Sequence, residues 1–382
     1  MPTYPNIKTL PPFIGIILAL ACLSYTLADQ QTDFSTFSGF RIENSTKLAK
    51  LNGEAIHCHD IANSLPVIET ANRRGSQKRI LWLGASQLHT ITNYRPNDEV
   101  APSILAEKLS TKKIDLSVVS SANANFMELL TIYNYMKSKI KFQTLLIGAV
   151  YDDMKELGIR ESIQIGLTLP AVETAMRKSS AGRKICDTYV TLELSNANLA
   201  VQEQGTLQND VESWLTERLE KNSKLWALRY EAQGWVQIGT RYIRDYLISI
   251  ATGRSIENES FVPSQVTIPR AAYNDNYAAF TALLETARKD GVQVIVYLAP
   301  RPMDAYFPYE MAPYTKFQQD IKSSCKEYGA AYYNLESAIP NKDWGQTGEF
   351  AEKPMRDIFH CKGSGHYPFA DAIFETIVAE GK

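Results

Sequence analysis

The sequence predicts a three-layer, doubly wound α/β protein, in which a parallel sheet lies between two layers of helices. Apolar segments of strand length alternate with segments of helical periodicity along most of the chain. The strand segments are continuously apolar, which is typical of parallel strands buried on both faces. A stretch rich in helical patterns interrupts the alternation. The sequence therefore also predicts a helical insert within the α/β domain.

Five strands and four helices account for the alternation. The predicted strands cover residues 79–83, 114–120, 144–150, 292–299 and 331–335, and the predicted helices cover residues 102–109, 126–139, 273–289 and 314–328. In open parallel sheets, ligands bind at the carboxyl ends of the strands, where the strand order reverses. We therefore expect the residues that follow these strands to line one crevice, among them Ser86, Asn123 and Arg301.

The 382 residues exceed the usual length of one domain, which is about 100 to 200 residues. We predict a signal peptide or membrane anchor over 1–28, a lead-in or stalk over 29–77 with a short helix around 56–69, the α/β domain over 78–158 and 266–382, and the helical insert over 159–265. The aromatic residues of the insert fall largely at helical spacing. They predict either a lid or partner-docking surface, or a helical subdomain whose aromatic residues fill its own core.

The amino terminus carries an apolar segment over residues 11–28, after a single Lys8. The segment is about the minimum length that spans a bilayer and slightly long for the core of a signal peptide, so a retained anchor and a cleaved export signal are both open. In either case we expect the chain beyond Asp29 to be periplasmic or otherwise extracytoplasmic. If the segment is retained, residues 11–28 would anchor the protein in the inner membrane.

Charge and cysteine content exclude several classes of protein. With 40 basic and 42 acidic residues, the chain has no excess of positive charge that would attract nucleic acid, so a polynucleotide substrate is not expected. Four cysteines follow the apolar segment, too few for a small disulfide scaffold, and their pairing cannot be deduced. Residues 57–60 (His-Cys-His-Asp) lack a second group at ligand spacing, so no metal site is predicted. No cofactor motif is predicted either.

Ser86, Asp357 and His360 are the candidate catalytic residues. A serine hydroxyl is a weak nucleophile unless an imidazole takes its proton, and the imidazole needs a carboxylate to orient it. Ser86 follows an early predicted strand, and Asp357 and His360 stand three residues apart before the last predicted helix. Each half alone also suits a simple turn or a helix cap. Together they predict a hydrolase or acyltransferase with a Ser-His-Asp triad.

Residues 84–88 (Gly-Ala-Ser-Gln-Leu) resemble the first sequence block of the SGNH (GDSL-type) hydrolases, with Ala85 where that family has Asp. Residues 357–360 with 365–366 resemble the last block. The resemblance covers about residues 78 to 380 apart from the insert, and it implies a flavodoxin-like sheet. Within that superfamily, residues 147–154, 294–302 and 334–336 are most similar to the DltD-like branch, whose members work beside membrane-bound O-acyltransferases.

The resemblance implies an oxyanion hole next to Ser86. The main-chain N–H of Ser86, at the start of the following helix, would be one donor. Asn123 or Asn125 would supply another, although the family has Gly in this second block. The third block lacks the usual Asn, because Asp152 and Asp153 stand there. An ionised Asp cannot donate a hydrogen bond, so fast hydrolysis is not expected.

The resemblance implies acyl transfer onto a cell-envelope polymer, by O-acylation or a D-alanylation-like reaction. The implied partners are a membrane-bound O-acyltransferase and a polysaccharide or teichoic-acid-like polymer. Arg301 would bind a phosphate or carboxylate, or else form a surface salt bridge. Two alternatives stay open: a non-catalytic envelope scaffold with a decayed SGNH fold, and an O-acetyl esterase or acetyltransferase acting on polysaccharide. His89 is expected to pack or cap locally, and His366 to order the last loop and helix.

Overall fold

The structure is a computed structural model that describes residues 44–76, 78–95, 97–193, 266–347 and 355–381. The strands are β1 (Asn44–Thr46), β2 (Lys50–Leu51), β3 (Glu54–Ala55), β4 (His57–Cys58), β5 (Arg79–Gly84), β6 (Thr90–Thr92), β7 (Asp115–Ser120), β8 (Thr144–Ala149), β9 (Gln293–Leu298), β10 (Ala331–Asn334), β11 (Trp344–Thr347) and β12 (Met355–Cys361). The helices are α1 (Leu65–Arg74), α2 (Ala101–Ser110), α3 (Phe126–Lys139), α4 (Glu161–Gln164), α5 (Pro170–Met176), α6 (Ser180–Glu193), α7 (Arg270–Lys289), α8 (Met311–Tyr328) and α9 (Gly363–Glu380).

Six strands form one parallel sheet in the order β10-β9-β8-β5-β7-β4. β5 is an interior strand, with Gly84 paired to Ser120 of β7 and Leu83 paired to Ile147 of β8. The order reverses beside β5, because the chain first adds β7 on one side and then β8 on the other. The predicted α/β fold class is confirmed, and the carboxyl end of β5 lies at the reversal.

The sheet is buried on both faces, as its continuously apolar strands predict. Leu81 and Leu83 of β5 belong to one core with residues of α1, α3, α7 and α8. Ile80 and Trp82 of the same strand belong to a second core with residues of α2 and α9. Successive side chains of a strand point to opposite faces, so the two cores lie on opposite sides of the sheet. This is the predicted three-layer arrangement.

The domain begins earlier than the sequence predicts. Residues 44–76, predicted as part of a lead-in or stalk, form β1 to β4 and α1. The short helix predicted around 56–69 is wrong in its first half, because His57 and Cys58 pair in parallel with Val118 and Val119 of β7. Two residues are too few for a strand pattern to appear in the sequence, and their pairing depends on an edge of the sheet that only the fold creates.

The described start of the predicted insert is helical. Residues 159–193 include α4, α5 and α6, and α6 contributes Ile185 and Cys186 to the core that contains α3 and α7. The rest of the insert and the predicted anchor over residues 11–28 lie outside the described residues. Among the residues that are described, no helix has the length and apolar character needed to cross a membrane.

Candidate active site

Ser86 lies directly beyond the carboxyl end of β5. A 3-10 turn, Ser86–Leu88, follows the strand, whereas the sequence predicts a full helix at this point. The turn folds back tightly: a Cβ on Gly84 would lie 2.7 Å from Cδ1 of Leu88, and Leu88 is buried. A side chain at residue 84 would therefore force the buried side chain of Leu88 to move. The next helix, α2, begins only at Ala101.

The three predicted catalytic side chains are joined by consecutive hydrogen bonds. Oγ of Ser86 is 3.0 Å from Nε2 of His360, and Nδ1 of His360 is 3.1 Å from Oδ2 of Asp357. The order of contacts is the one that proton transfer from Ser86 to His360 requires, with Asp357 holding the far side of the imidazole. The expected contacts are therefore present, although 274 residues separate Ser86 from His360.

Asp357 and His360, which the sequence places before the last helix, lie on the strand β12. β12 pairs with β11 in a separate two-stranded antiparallel sheet. Oδ1 of Asp357 accepts hydrogen bonds from the main-chain N–H groups of Phe359 (2.8 Å) and His360 (3.0 Å). This local turn lets an aspartate and a histidine three residues apart face each other, which regular strand geometry would prevent.

Asp357 is held in its ionised form. Its side chain is 3% exposed, and burial by itself would raise the pKa. The hydrogen bond and charge of His360, together with the two main-chain N–H groups, outweigh burial and hold the pKa of Asp357 below its ordinary value. Oγ1 of Thr92 donates a further hydrogen bond to Oδ2 at 3.3 Å. The carboxylate can therefore stabilise an imidazolium at His360.

Of the two asparagines that the sequence offers as oxyanion donors, Asn125 is engaged elsewhere. It is the N-cap of α3, where its Oδ1 accepts from the N–H of Glu128 at 3.0 Å. Its Nδ2 donates to the main-chain oxygen of Gly158 at 2.8 Å. Its assignment as an oxyanion donor is thus corrected, because a buried cap uses both amide atoms. Asn123 is exposed, on the turn after β7, with a φ of 53°. It keeps its place as a candidate.

The two aspartates in the third block differ in their surroundings. Asp152 accepts a hydrogen bond from the hydroxyl of Tyr309 and forms an ion pair with Lys155. Asp153 is buried, and this burial, helped by the charge of Asp152, raises its pKa well above the ordinary value. The protonated form is the only one in which a carboxyl donates a hydrogen bond. Burial therefore works against the ionised state that the sequence suggests for this residue.

Arg301 forms a salt bridge, one of the two roles that the sequence left open. Its Nε donates to Oε1 of Glu336 at 2.6 Å, and its main-chain N–H donates to the carbonyl of the same residue at 2.9 Å. The guanidinium also lies 4.5 Å from the ring centre of Phe307. Because Glu336 compensates its charge, Arg301 offers a weaker site for a phosphate or carboxylate than an unpaired arginine would.

A cleft of about 480 Å³, counted with its opening to solvent, lies beside the triad. It runs past the carboxyl ends of β8 and β9, and Gln87 and Phe359, the neighbours of Ser86 and His360 in sequence, lie in its wall. The amide of Gln87 donates to the carbonyl of Pro300 at 2.9 Å and so ties the Ser86 turn to the end of β9. Much of the wall is aromatic, comprising Tyr151, Tyr306, Phe307, Tyr309, Tyr314 and Phe359.

The remaining histidines lie near the triad in structural positions. His366 is fully buried, with its Nδ1 accepting from the N–H of Ala101 at 3.1 Å and its Nε2 3.3 Å from the carbonyl of Thr90. It joins the last helix, α9, to α2 and β6. His89 contacts the hydroxyl of Ser120 at the end of β7. In the described part of the chain, no group of three or more His, Cys, Asp or Glu side chains is arranged so that it could hold a metal ion.

Sequence reasoning missed three contributors to this site. Thr92 supports Asp357 from β6, Gln87 ties the Ser86 turn to β9, and Ser120 joins two histidines. A hydroxyl or amide residue has no spacing pattern that marks such a role. The one signal in the sequence concerns Ser120, which ends a predicted strand and could for that reason have been placed near the site.

No protein-family model matches the chain, and no curated protein matches it with significance. Several solved structures are similar to it, among them the following two. One is a candidate acylhydrolase from Bacteroides fragilis, at 9% identity and a TM-score of 0.38, covering 85% of this chain and 100% of that one. The other is a GDSL-like lipase from Bacteroides thetaiotaomicron, at 11% identity and a TM-score of 0.35, covering 84% and 100%. The function of this chain is therefore inferred from its own side chains.

Proposed function

We propose that the chain is a serine acyl-transfer enzyme of the SGNH type, either a hydrolase or an acyltransferase. One observation carries the proposal: Ser86 Oγ lies 3.0 Å from His360 Nε2 while Asp357, whose pKa is lowered, lies 3.1 Å from His360 Nδ1. A structural histidine needs neither a serine hydroxyl on one nitrogen nor a buried carboxylate on the other. Ser86 also follows β5 at the strand-order reversal, where doubly wound proteins bind ligands, and the cleft lies beside it.

The first half of the reaction forms an acyl-enzyme. Oγ of Ser86 attacks the carbonyl carbon of an ester while His360 Nε2 takes the hydroxyl proton, and Asp357 stabilises the resulting imidazolium. The tetrahedral intermediate then collapses. The bond to the leaving oxygen breaks, His360 returns the proton to that oxygen, and the alcohol departs, leaving the acyl group on Ser86.

The second half reverses these roles with a different hydroxyl. His360 takes a proton from an acceptor hydroxyl, whose oxygen attacks the acyl carbonyl and displaces Ser86 Oγ. His360 then returns the proton to Ser86. A water molecule as acceptor gives hydrolysis, and an alcohol gives transfer. The aromatic wall of the cleft suits the apolar face of an acyl group or a sugar ring, because aromatic rings offer large apolar contact surfaces with little rotational freedom.

The acceptor that we propose is a hydroxyl of a cell-envelope polymer, a polysaccharide or a teichoic-acid-like chain. Support comes from the resemblance to the DltD-like branch and from the apolar segment over residues 11–28, which favours export. The proposed partner is a membrane-bound O-acyltransferase that supplies the acyl group.

A fluorophosphonate probe tests the enzymatic proposal. The probe phosphonylates a serine that has an activated hydroxyl, so the wild-type protein should be labelled on Ser86, and Ser86→Ala should not be labelled. Ser364→Ala is the matched control: Ser364 lies near β12, but its hydroxyl donates to Asp343 at 2.7 Å and does not contact His360. This control should be labelled like the wild type.

A cellular measurement tests the polymer. Ester-linked acyl groups, released from the isolated envelope polymer by mild alkali, should be lost in cells that carry Ser86→Ala and kept in cells that carry Ser364→Ala. The alternative function is a non-catalytic scaffold, and the engagement of Asn125 as a helix cap favours it. Folded wild-type protein that takes no label, together with full polymer acylation in Ser86→Ala cells, would establish the scaffold instead.

A further inference from the structure

Two histidines contact the hydroxyl of Ser120 at the tip of β7, and a third, His59, lies 3.3 Å from the main-chain oxygen of Ser120. Nε2 of His57 is 2.6 Å from Oγ of Ser120, and Nδ1 of His89 is 2.7 Å from the same atom. The third, His59, has its ring centre 4.6 Å from that of His89, edge to face. The main-chain N–H of Ala49 donates to Nδ1 of His57 at 3.3 Å. These contacts form one continuous chain from Ala49 to His89.

The first bond of this chain sets the tautomer of His57. Because Nδ1 of His57 accepts a hydrogen bond, it carries no proton, and the proton of the neutral ring lies on Nε2. That N–H donates to Ser120. The hydroxyl of Ser120 has one proton, and Nδ1 of His89 is the acceptor that lies within reach of it, so we assign this proton to the bond between Oγ and Nδ1. Nδ1 of His89 is thus an acceptor, which makes the ring of His89 neutral, with its proton on Nε2.

The surroundings of His89 also favour the neutral ring. His89 is 3% exposed, and its burial is the main cause that lowers its pKa to about 3. The ionisable groups that act on it are His59 on the β4 side, His360 on β12 and His366 on α9, and each lowers the pKa further. Burial also lowers the pKa of His57 well below its ordinary value.

His89 is connected to the nucleophile through the main chain. It ends the turn that begins at Ser86, and its N–H donates to the carbonyl of Ser86 at 3.0 Å. Its own carbonyl accepts from the N–H of Lys47 at 2.8 Å. The ring of His89 therefore anchors one end of the Ser86 turn to the tip of β7, as Gln87 anchors its middle to β9.

We propose that His89 is a positioning residue for the Ser86–His360 pair, set by the hydrogen-bond relay from Ala49 through His57 and Ser120. The inference rests on the proposed acyl-transfer function. The relay holds the Ser86 turn in place through His89. It also keeps His89 uncharged within electrostatic reach of His360, which must become a cation when it takes the proton of Ser86. A second cation there would oppose that proton transfer.

Long-range ¹⁵N–¹H NMR spectra of the wild-type protein test the relay without any substrate. They identify which nitrogen of each imidazole carries a proton. At neutral pH, His57 and His89 should both be neutral with the proton on Nε2. A charged His89, or a proton on its Nδ1, would overturn the proposal. This measurement needs no variant and is independent of enzymatic activity.

Steady-state hydrolysis of an aryl acetate tests the positioning role. Ser120→Ala should lower kcat about 10- to 100-fold with little change in KM, because small displacements of a nucleophile cost rate more than binding. Ser117→Ala, a buried serine of the same strand outside the relay, should leave both constants unchanged. His89→Asn keeps an acceptor near the position of Nδ1 and should retain more activity than His89→Leu.

The outcomes separate this inference from the proposed function. An unchanged kcat in Ser120→Ala, or equal activities of His89→Asn and His89→Leu, would refute the positioning role. Neither result would contradict the proposed acyl-transfer function. If Ser120→Ala does not fold, the comparison of His89→Asn with His89→Leu and the NMR spectra of the wild-type protein still test the positioning role. A wild-type protein with the expected tautomers but no ester hydrolysis and no phosphonate label would refute the proposed function, and the positioning role with it.

Discussion

At the scale of single residues, the activity depends on a few polar atoms that are buried and individually satisfied. Asp357 illustrates this, since both of its oxygens accept hydrogen bonds, from the main chain of β12 and from the side chains of His360 and Thr92. A carboxylate with so many donors cannot rotate freely. It therefore fixes which nitrogen of His360 faces Ser86.

Replacing Asp357 with Asn should lower kcat for ester hydrolysis about a thousandfold without unfolding the protein. The amide keeps the size of the side chain but cannot stabilise an imidazolium, and it favours the wrong tautomer of His360. Steady-state kinetics with a circular dichroism control measure this. A rate equal to that of the wild type would show that Asp357 only shapes the β12 turn.

Asp357 should also contribute to stability in a pH-dependent way. Its pKa is lower in the folded protein than in the unfolded chain, so its contribution is present above about pH 4, the ordinary carboxyl pKa, and is lost as pH falls through the folded value. Urea unfolding from pH 6 down to pH 3 should therefore show a steeper loss of stability in the wild type than in Asp357→Asn. Parallel curves for the two proteins would contradict this.

At the scale of elements, side chains join the ends of neighbouring strands, in addition to the main-chain hydrogen bonds of the sheet. The Arg301–Glu336 pair links the segment after β9 to the segment after β10. Glu336 is buried and also accepts from Tyr314 and, at 2.6 Å, from Gln318, both on α8. This network holds α8 and its aromatic residues against the cleft.

Removing either partner of the Arg301–Glu336 pair should destabilise the fold by about 3 kcal/mol, because the remaining charge loses its partner in a largely buried place. The double variant Arg301→Ala, Glu336→Ala should cost less than the sum of the single variants. The exposed pair Lys289–Glu285 on α7 is the matched control, and its removal should cost less than about 1 kcal/mol. Equal costs for the two pairs in urea unfolding would refute the assignment.

Gly148 in β8 allows close packing at the same end of the sheet. A Cβ at this position would lie 2.6 Å from the hydroxyl oxygen of Tyr297 on β9, which accepts from the indole N–H of Trp82 at 3.0 Å. Gly148→Ala should therefore destabilise the protein by about 1–3 kcal/mol. The cost should shrink in a Tyr297→Phe background, where the nearest atom is absent. If Gly148→Ala lowered the stability by the same amount in that background, the strain would not come from the hydroxyl of Tyr297.

At the scale of the whole molecule, the described part of the chain is held by its two cores and not by disulfides. Cys58, Cys186, Cys325 and Cys361 are all free and buried. Burial raises the pKa of each thiol, to about 11 for Cys186 and about 12 for Cys325. The disulfide that an exported protein could have formed next to His360 is therefore not present at Cys361.

These four thiols should react with iodoacetamide only after unfolding, because they are both enclosed and protonated at neutral pH. Mass spectrometry of the native and the denatured protein measures this, and Cys22, which lies outside the described residues, is scored separately. Rapid modification of any of the four in the native protein would contradict the buried arrangement. A disulfide between any two of them would contradict it as well.

Export is the second prediction at this scale. The apolar segment over residues 11–28 should direct the following chain out of the cytoplasm. A carboxyl-terminal alkaline phosphatase fusion should thus be active in a bacterial host, and a fusion to a reporter that works only in the cytoplasm should be inactive. The opposite pattern would remove the envelope polymer as the acceptor.

The sequence predicts the parts of this molecule that depend on local pattern. Continuous apolar strands indicate the parallel sheet, and a serine at one strand tip with an aspartate and a histidine near the last helix indicates the triad. β4 could not be predicted, because two residues carry no period. The capping role of Asn125 and the identity of the ion-pair partner of Arg301 were also beyond the sequence, since each depends on contacts that only the fold creates.

The central claim is that Ser86, His360 and Asp357 act as one unit. The rate of fluorophosphonate labelling, compared among the wild type, Ser86→Ala, His360→Ala and the double variant Asp357→Asn, His360→Ala, tests it most directly. Ser86→Ala should take no label, His360→Ala should be labelled very slowly, and the double variant should be no slower than His360→Ala, because residues that act as a unit are not additive. Labelling of His360→Ala at the wild-type rate would contradict the claim.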